Sequence, residues 1–281
     1  MAALLLAAAD SSPQNLLELA DNGTPAQVAA AVQAGANIEE VDHAGRTPLM
    51  HAAWNNQNLD VITLLLRAGA KVEDRNNGGV TPLMYAAGKN QNPEVISALL
   101  QAGARIESKN NDGVTALMYA AGDNANPEAL SLLLDAGARV DGRDNSGATP
   151  LMHAAGDNRN PEVITRLLKA GAKTDERDKL GQTALMLAAW NNGNPAVISV
   201  LLEAGAKIDE RNNEGMTALM YAAGKSRTPE AVSVLLLAGA DAKLKSSEGK
   251  TAFDYATKNE TMKGTPQLRE LGLARPPQAT L

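Results

Sequence analysis

Apolar residues recur along the chain in two alternating patterns, each suited to a helix of two to three turns. Residues 81–87, Thr-Pro-Leu-Met-Tyr-Ala-Ala, combine a good N-cap residue with a proline suited to the first turn and with small apolar side chains. The apolar residues of Val95–Leu100 follow an i, i+1, i+4, i+5 stripe, which is typical of an amphipathic helix. Gly103 supplies a suitable end for that helix. The pattern therefore predicts a short helix, a loop and a second helix.

This pattern returns every 34 residues, which indicates a repeat architecture and not a set of unrelated motifs. The glycine of each Ala-Gly-Ala segment marks the spacing: Gly35, Gly69, Gly103, Gly137, Gly171, Gly205 and Gly239. We predict six full repeats, at 42–75, 76–109, 110–143, 144–177, 178–211 and 212–245. They are flanked by an N-terminal capping repeat at 13–41, a C-terminal capping repeat at 246–272, and tails at 1–12 and 273–281. Capping repeats are expected because a terminal repeat exposes a face that internal repeats bury.

A polar segment of about ten residues separates each second helix from the next first helix. Between Ala104 and Thr115, alternation around Ile106 gives way to a cluster of Asn, Asp and Gly at 110–113. Such clusters favour tight turns. We expect an extended finger that ends in a turn.

These units resemble ankyrin repeats, with Thr-Pro-Leu opening the first helix and Leu-Leu-x-Ala-Gly-Ala closing the second. The resemblance covers roughly residues 13–272 and implies an all-α solenoid of stacked helix-turn-helix repeats with β-turn fingers. Two features depart from the family pattern. Methionine replaces the usual histidine after Thr-Pro-Leu, and the period is 34, with the added residue placed at 90–92 between the helices. Tetratricopeptide arrays share this period, but they resemble pairs of longer helices with bulky aromatic positions and no finger.

Composition narrows the functional classes. The formal charge of -6, without a basic patch, argues against nucleic acid as a partner. The absence of cysteine excludes disulfides, thiolate metal ligands and a cysteine nucleophile, and His43, His51 and His153 are too scattered for a metal site. We find no catalytic constellation and expect no enzyme activity, no cofactor and no metal.

The N-terminal sequence is compatible with more than one cellular location. Residues 1–10 are rich in Ala and Leu, and Ala7-Ala8-Ala9 suits a signal cleavage site, although a basic start is lacking. A cytoplasmic location is favoured, and a periplasmic or secreted one is open if this segment is a trimmed signal. No apolar run approaches the roughly 18 residues needed to span a bilayer, so we expect no membrane insertion.

Positions that vary between repeats indicate where a partner binds. Counted from the first residue of each repeat, the thirteenth position is either Trp or Gly. Packed interiors resist even small changes in volume, so this variation suggests that the position faces open space. Position ten lies on the same helix face, and position fourteen completes the stripe. By resemblance, first helices and fingers line the concave binding face. The candidate partner-binding residues are Arg46, His51, Trp54, Asn55, Tyr85, Lys89, Tyr119, Asp123, His153, Asp157, Trp190, Asn191, Tyr221 and Lys225.

Two further expectations concern the same helices. Trp54 and Trp190 are hypothesised to flank a floor of Gly88, Gly122 and Gly156, four repeat steps or roughly 35–40 Å apart by helix packing distances. The structural alternative is that each Tyr ring packs between repeats and that each Trp covers a loop. Two asparagine series are expected to cap helices and bridge successive loops: Asn56, Asn90, Asn124, Asn158 and Asn192, and Asn58, Asn92, Asn126, Asn160 and Asn194.

Together these features predict a monomeric, non-catalytic module that binds a protein or peptide through its first helices and finger tips. Two alternatives stay open. The Trp and Tyr stripe suits a small ligand or a glycan if it lines a deep pocket. The second alternative is that the protein is a scaffold of an envelope or secreted system.

Overall fold

The structure is a computed structural model that describes residues 15–192, 194–225 and 228–273. These residues form paired α-helices and no β-strand. The predicted tail or signal remnant at 1–12 lies outside the described residues, as does the C-terminal tail beyond Leu273. No described helix has both the length and the apolar composition needed to cross a membrane.

The chain divides into two compact units, one up to Arg105 and one from Ile106 onward. In the first unit, α1, α3 and α5 are first helices that pack side by side, and α2, α4 and α6 are second helices that do the same. The helices are α1 (Leu16–Asn22), α2 (Pro25–Gln33), α3 (Pro48–Asn55), α4 (Leu59–Arg67), α5 (Pro82–Lys89) and α6 (Glu94–Gln101).

The second unit repeats this two-layer arrangement. Its first helices are α7 (Ala116–Asp123), α9 (Pro150–Asp157), α11 (Ala184–Asn191), α13 (Ala218–Gly224) and α15 (Ala252–Ala256). Its second helices are α8 (Pro127–Asp135), α10 (Pro161–Lys169), α12 (Pro195–Glu203), α14 (Glu230–Leu237) and α16 (Pro266–Leu273). A short 3-10 helix, Glu260–Met262, precedes α16. Between the layers of each repeat lies a core of Leu, Ala, Val, Ile and Met.

In α5, α7 and α9, the methionine that replaces histidine has a capping role. The Thr149 hydroxyl accepts the backbone N–H of Met152, and the Met152 sulfur accepts the backbone N–H of Thr149, each at 3.4 Å. Met152 is also almost fully buried, at 2% exposure. One residue therefore serves both the helix start and the core. In α15, Asp254 takes this place, and its carboxylate accepts the Thr251 N–H at 2.9 Å.

The first asparagine series joins successive repeats within each unit. In the second unit, Asn158 Nδ2 donates to the carbonyls of Ala121 and Asn124, at 2.9 and 2.8 Å. Asn56, Asn90 and Asn192 make the equivalent pair of bonds. All of these side chains are buried, so they satisfy carbonyls at helix ends that water cannot reach.

The second asparagine series caps the second helices. Asn160 Oδ1 accepts the Glu162 N–H at 3.0 Å, while its Nδ2 donates to the loop of the previous repeat, at the Ala125 carbonyl. Asn194 makes the same pair of contacts, to Ala196 and Arg159. The expectation that both series cap helices and bridge loops is confirmed. The predicted division into caps and six repeats stays a prediction.

We expect Asn158→Asp to destabilise the protein by about 3 kcal/mol, since two buried carbonyls lose their donors and a carboxylate takes the place of the amide. Asn145→Asp is the matched control. It removes one exposed bond, from Asn145 Nδ2 to the Asn111 carbonyl, and should cost less than about 1 kcal/mol. Urea denaturation followed by circular dichroism measures both. Equal losses of stability in the two variants would show that burial does not determine how much the Asn158 hydrogen bonds contribute to stability.

Candidate functional site

The first residue of each repeat builds the finger turn. In the repeat that begins at Asp144, its Oδ1 accepts the backbone N–H groups of Ser146 and Ala148, at 2.8 and 2.9 Å. Asn76, Asn110, Asp178 and Asn212 hold their own turns through the same two bonds. An Asp or Asn is suited to this place because its short side chain reaches the backbone two residues ahead.

In five of the six repeats, the second polar atom of this residue contacts position ten of the same repeat, nine residues later. Asp42 pairs with His51 at 3.2 Å and Asp144 with His153 at 2.9 Å. Where position one is Asn, position ten is Tyr, and the amide donates to the hydroxyl of Tyr85, Tyr119 or Tyr221, at 2.8 to 3.0 Å. The candidate residues at position ten are thus half-buried or buried groups that anchor fingers to first helices.

Burial and hydrogen bonding shift the pKa values of some of these groups. Burial raises the pKa of the Tyr119 and Tyr221 hydroxyls above its usual range. Burial also acts to raise the pKa of Asp144, but hydrogen bonds from Ser146, Ala148 and His153 outweigh it and lower that pKa. Comparison between the repeats of the sequence contains a signal for this pairing, since Asn occurs with Tyr and Asp with His, apart from Asp178, which occurs with Leu187.

Position thirteen packs against the next repeat and does not face only open space, so that expectation is right only in part: Trp190 is 40% exposed. Trp54 stacks on Tyr85 of the next repeat, with ring centroids 5.5 Å apart, and Trp190 stacks on Tyr221 at the same distance. A Cβ added at Gly224 would lie 2.9 Å from the Tyr255 Cβ. The side chain at position thirteen therefore packs directly against the side chain at position ten of the next repeat. A large residue at thirteen is accommodated because it lies flat on its neighbour.

Position fourteen is exposed in every repeat of this series. Asn55 lies within 3.4 Å of Asp21, and Asn191 Nδ2 donates to Asp157 at 3.0 Å. The exposed set is Asn55, Lys89, Asp123, Asp157, Asn191 and Lys225. Together with Trp190, these are the predicted site residues that the structure leaves exposed.

Arg46 belongs to a cluster at the start of the first full repeat. Its Nε lies 2.6 Å from Asp42 Oδ2, and its guanidinium carbon lies 4.8 Å from the centroid of the Trp54 ring. His51 contacts the same Asp42 oxygen. The guanidinium is thus held between a carboxylate and an indole, and both contacts favour a cation.

Two cavities of the second unit lie between its fingers and the exposed side of its first helices. One, of about 310 Å³, is lined by Asp144, Ser146, Ala148, Met152, His153, Gly156, Asp157, Asp178, Leu187, Trp190 and Asn191. The other, of about 160 Å³, is lined by Asn110, Asp112, Val114, Met118, Tyr119, Gly122, Asp123, His153 and Asp157. Apart from the Tyr119 hydroxyl, the ionisable side chains in the two linings are aspartates and His153.

The polar groups of the larger cavity do not form a hydrolytic triad. Ser146 Oγ lies 2.7 Å from Asp144 Oδ1, and His153 Nε2 binds the other oxygen of the same carboxylate. The aspartate therefore lies between the other two groups, and the histidine does not receive the serine proton. Within the described ranges, no group of three or more His, Cys, Asp or Glu side chains is placed to hold a metal ion.

The Asp42 cluster gives a pH-dependent contribution to stability. Burial acts to raise the pKa of Asp42, but hydrogen bonds from Arg46 and Ala44 and the Arg46 charge lower it from 3.8 to about 2. A carboxyl whose pKa is lower in the folded state stabilises that state above its unfolded pKa, and this stability is lost as the pH falls through the folded pKa. We expect Asp42→Asn to lower the free energy of unfolding by about 1 kcal/mol at pH 6, after allowance for solvent screening. This difference between variant and wild type should disappear between about pH 4 and pH 2.

Urea denaturation at a series of pH values, followed by tryptophan fluorescence, measures this gap. The control is Asp135→Asn, which removes an exposed carboxylate from the end of α8. A gap for Asp42→Asn that widened toward pH 2 would contradict the assignment.

Comparison with known proteins adds to this geometry. A family model described as ankyrin repeats in three copies matches overlapping stretches at 4–110, 83–178, 117–212, 155–246 and 185–264. The crystal structure of the human ASB11 ankyrin repeat domain is similar, with a TM-score of 0.69 and 27% identity. That similarity covers 79% of this chain and 96% of the human domain. No curated protein sequence matches. The family matches extend over most of the sequence, and the chain belongs to the ankyrin repeat family.

Proposed function

We propose that the chain is a non-catalytic module that binds a protein partner across its first helices and finger tips. Ankyrin repeats are generally protein–protein interaction modules. The observation that carries the proposal here is that, within each unit, the exposed residues of position fourteen lie beside the aromatic residues of positions ten and thirteen. Aromatic side chains beside polar, solvent-exposed ones are the usual composition of a protein interface.

The charge of this row indicates the kind of partner. In the second unit, Asp123 and Asp157 are exposed on neighbouring first helices, and Asp112, Asp144 and Asp178 lie on the fingers above them. We propose that this part of the face binds a basic segment of the partner. The same acidity disfavours nucleic acid, whose affinity depends on basic side chains.

A small ligand or glycan is less well supported as the principal ligand. The larger cavity, at about 310 Å³, is at the lower limit of the roughly 300–1,000 Å³ typical of ligand sites. A protein partner uses the cavity and the surrounding row together, whereas a small ligand would use the cavity alone.

Charge reversal on this face tests the proposal. Asp123→Lys combined with Asp157→Lys should reduce recovery of a captured partner at least tenfold, because like charges then oppose the basic segment. The measurement is quantitative affinity capture from cells that produce the chain, with wild type in parallel. The bound protein is then purified and titrated by calorimetry.

The matched control reverses two exposed acids on second helices, Asp135→Lys and Glu203→Lys, which lie on the other layer. Circular dichroism confirms that both double variants are folded. Equal recovery by the two double variants would overturn the assignment of this face. Turnover of a substrate by the unmodified protein would overturn the proposal that it is non-catalytic.

A further inference from the structure

The two tryptophan repeats differ in one respect that points to a ligand. The repeat that begins at Asp42 has Arg46 at position five and Trp54 at position thirteen, and Arg46 contacts both the carboxylate and the indole. The repeat that begins at Asp178 has the same carboxylate at position one and the same indole, Trp190, at position thirteen. Position five is Gln182, so this repeat supplies no guanidinium at that place.

Gln182 does not occupy the equivalent space. It is 3% exposed, and its Nε2 donates to the Tyr221 hydroxyl at 2.9 Å, which directs the amide toward the next repeat. Position ten is Leu187, which cannot bind the position-one side chain as histidine or tyrosine does elsewhere. Among the described residues, Asp178 accepts the backbone N–H groups of Leu180 and Gln182 on Oδ1, and no side chain donates to Oδ2.

The equivalent space in this repeat is the cavity of about 310 Å³, which Asp178, Leu187 and Trp190 line together. Trp190 is 40% exposed. Tyr221 stacks on this indole and is not part of the lining, so the cavity meets the indole away from Tyr221. Leu187 and Met152 add apolar wall, and Asp144 and Asp157 add negative charge. Apolar wall with carboxylates is suited to a long side chain that has an aliphatic stem and a cationic end.

We propose that this cavity binds an arginine side chain of the protein partner, with its guanidinium between the Asp178 carboxylate and the Trp190 indole, as Arg46 lies between Asp42 and Trp54. The inference rests on the proposed protein-binding function and specifies one of its contacts. Arginine is favoured over lysine because a planar guanidinium stacks on an indole while its N–H groups bind a carboxylate.

The probe for this site is Nα-acetyl-arginine amide, with Nα-acetyl-citrulline amide as the neutral compound of the same shape. We expect the arginine amide to shift the Trp190 indole N–H signal in the NMR spectrum saturably, with millimolar affinity, and the citrulline amide to bind at least fivefold more weakly. Trp54 is an internal control, because Arg46 already occupies its site. Trp190→Phe identifies the signal.

Asp178→Asn should lower the affinity for the arginine amide at least fivefold. This substitution keeps the oxygen that accepts the two backbone N–H groups, and asparagine holds that place at Asn76, Asn110 and Asn212, so the finger should stay folded. Equal binding by wild type and Asp178→Asn, or an equal response to the citrulline amide, would overturn the proposal.

A second pair of variants tests the comparison between the two repeats. Gln182→Arg places an arginine where Arg46 lies in the first full repeat, and it should abolish the response to the arginine amide. Gln182→Met loses the same bond to Tyr221 without adding a cation, and it should retain the response. Arginine amide bound as tightly by Gln182→Arg as by Gln182→Met would overturn the proposal.

Failure here is distinguishable from failure of the protein-binding function. A partner that binds wild type and Asp178→Asn equally, but not the Asp123→Lys/Asp157→Lys variant, overturns the arginine contact and leaves protein binding in place. A partner whose affinity falls at least fivefold with Asp178→Asn, and equally when one of its arginines is changed to glutamine, supports the arginine contact. A fall with Asp178→Asn that no arginine of the partner reproduces overturns it.

Discussion

A short helix ends in carbonyl groups that have no partner within the helix, and in this protein the next repeat supplies their donors. The first helices are mostly of seven or eight residues, so the unpaired carbonyls of the last turn make up about half of each helix. Asn158 reaches back 34 and 37 residues to two of these groups, and Asn192 does the same one repeat later. A buried amide of fixed length leaves little freedom in the distance and the angle between neighbouring repeats.

The repeat itself could be predicted from the sequence because its determinants are local. Thr149 as cap, the glycine after each second helix and the Val-Ile stripe depend on residues within one turn of each other. The ladder could be predicted in outline, since asparagines that recur just after one helix and just before the next are suited to capping and bridging. The acceptors of Asn158 could not be predicted, because they belong to the backbone of another repeat.

The candidate site was harder to predict, for a physical reason. Variation between Trp and Gly at position thirteen suggests open space, whereas Trp190 lies against Tyr221, 31 residues further on. Position thirteen of one repeat and position ten of the next form a single packing unit, and comparison of equivalent positions cannot reveal this. The pairing of positions one and ten is visible in the sequence, and its exception, Asp178 with Leu187, marks the cavity.

The hydrogen bonds that the first asparagine series donates run from one repeat back to the preceding repeat. Within each unit, described repeats carry acceptors that the following repeat satisfies, as Asn56 does for the carbonyls of Ala20 and Gly23 and Asn259 for that of Ala223. On the ribosome, a first helix is therefore complete only after the loop of the next repeat has emerged. Synthesis from the N-terminus delivers donors in the order in which the acceptors need them, so structure can extend behind the growing end by one repeat at a time.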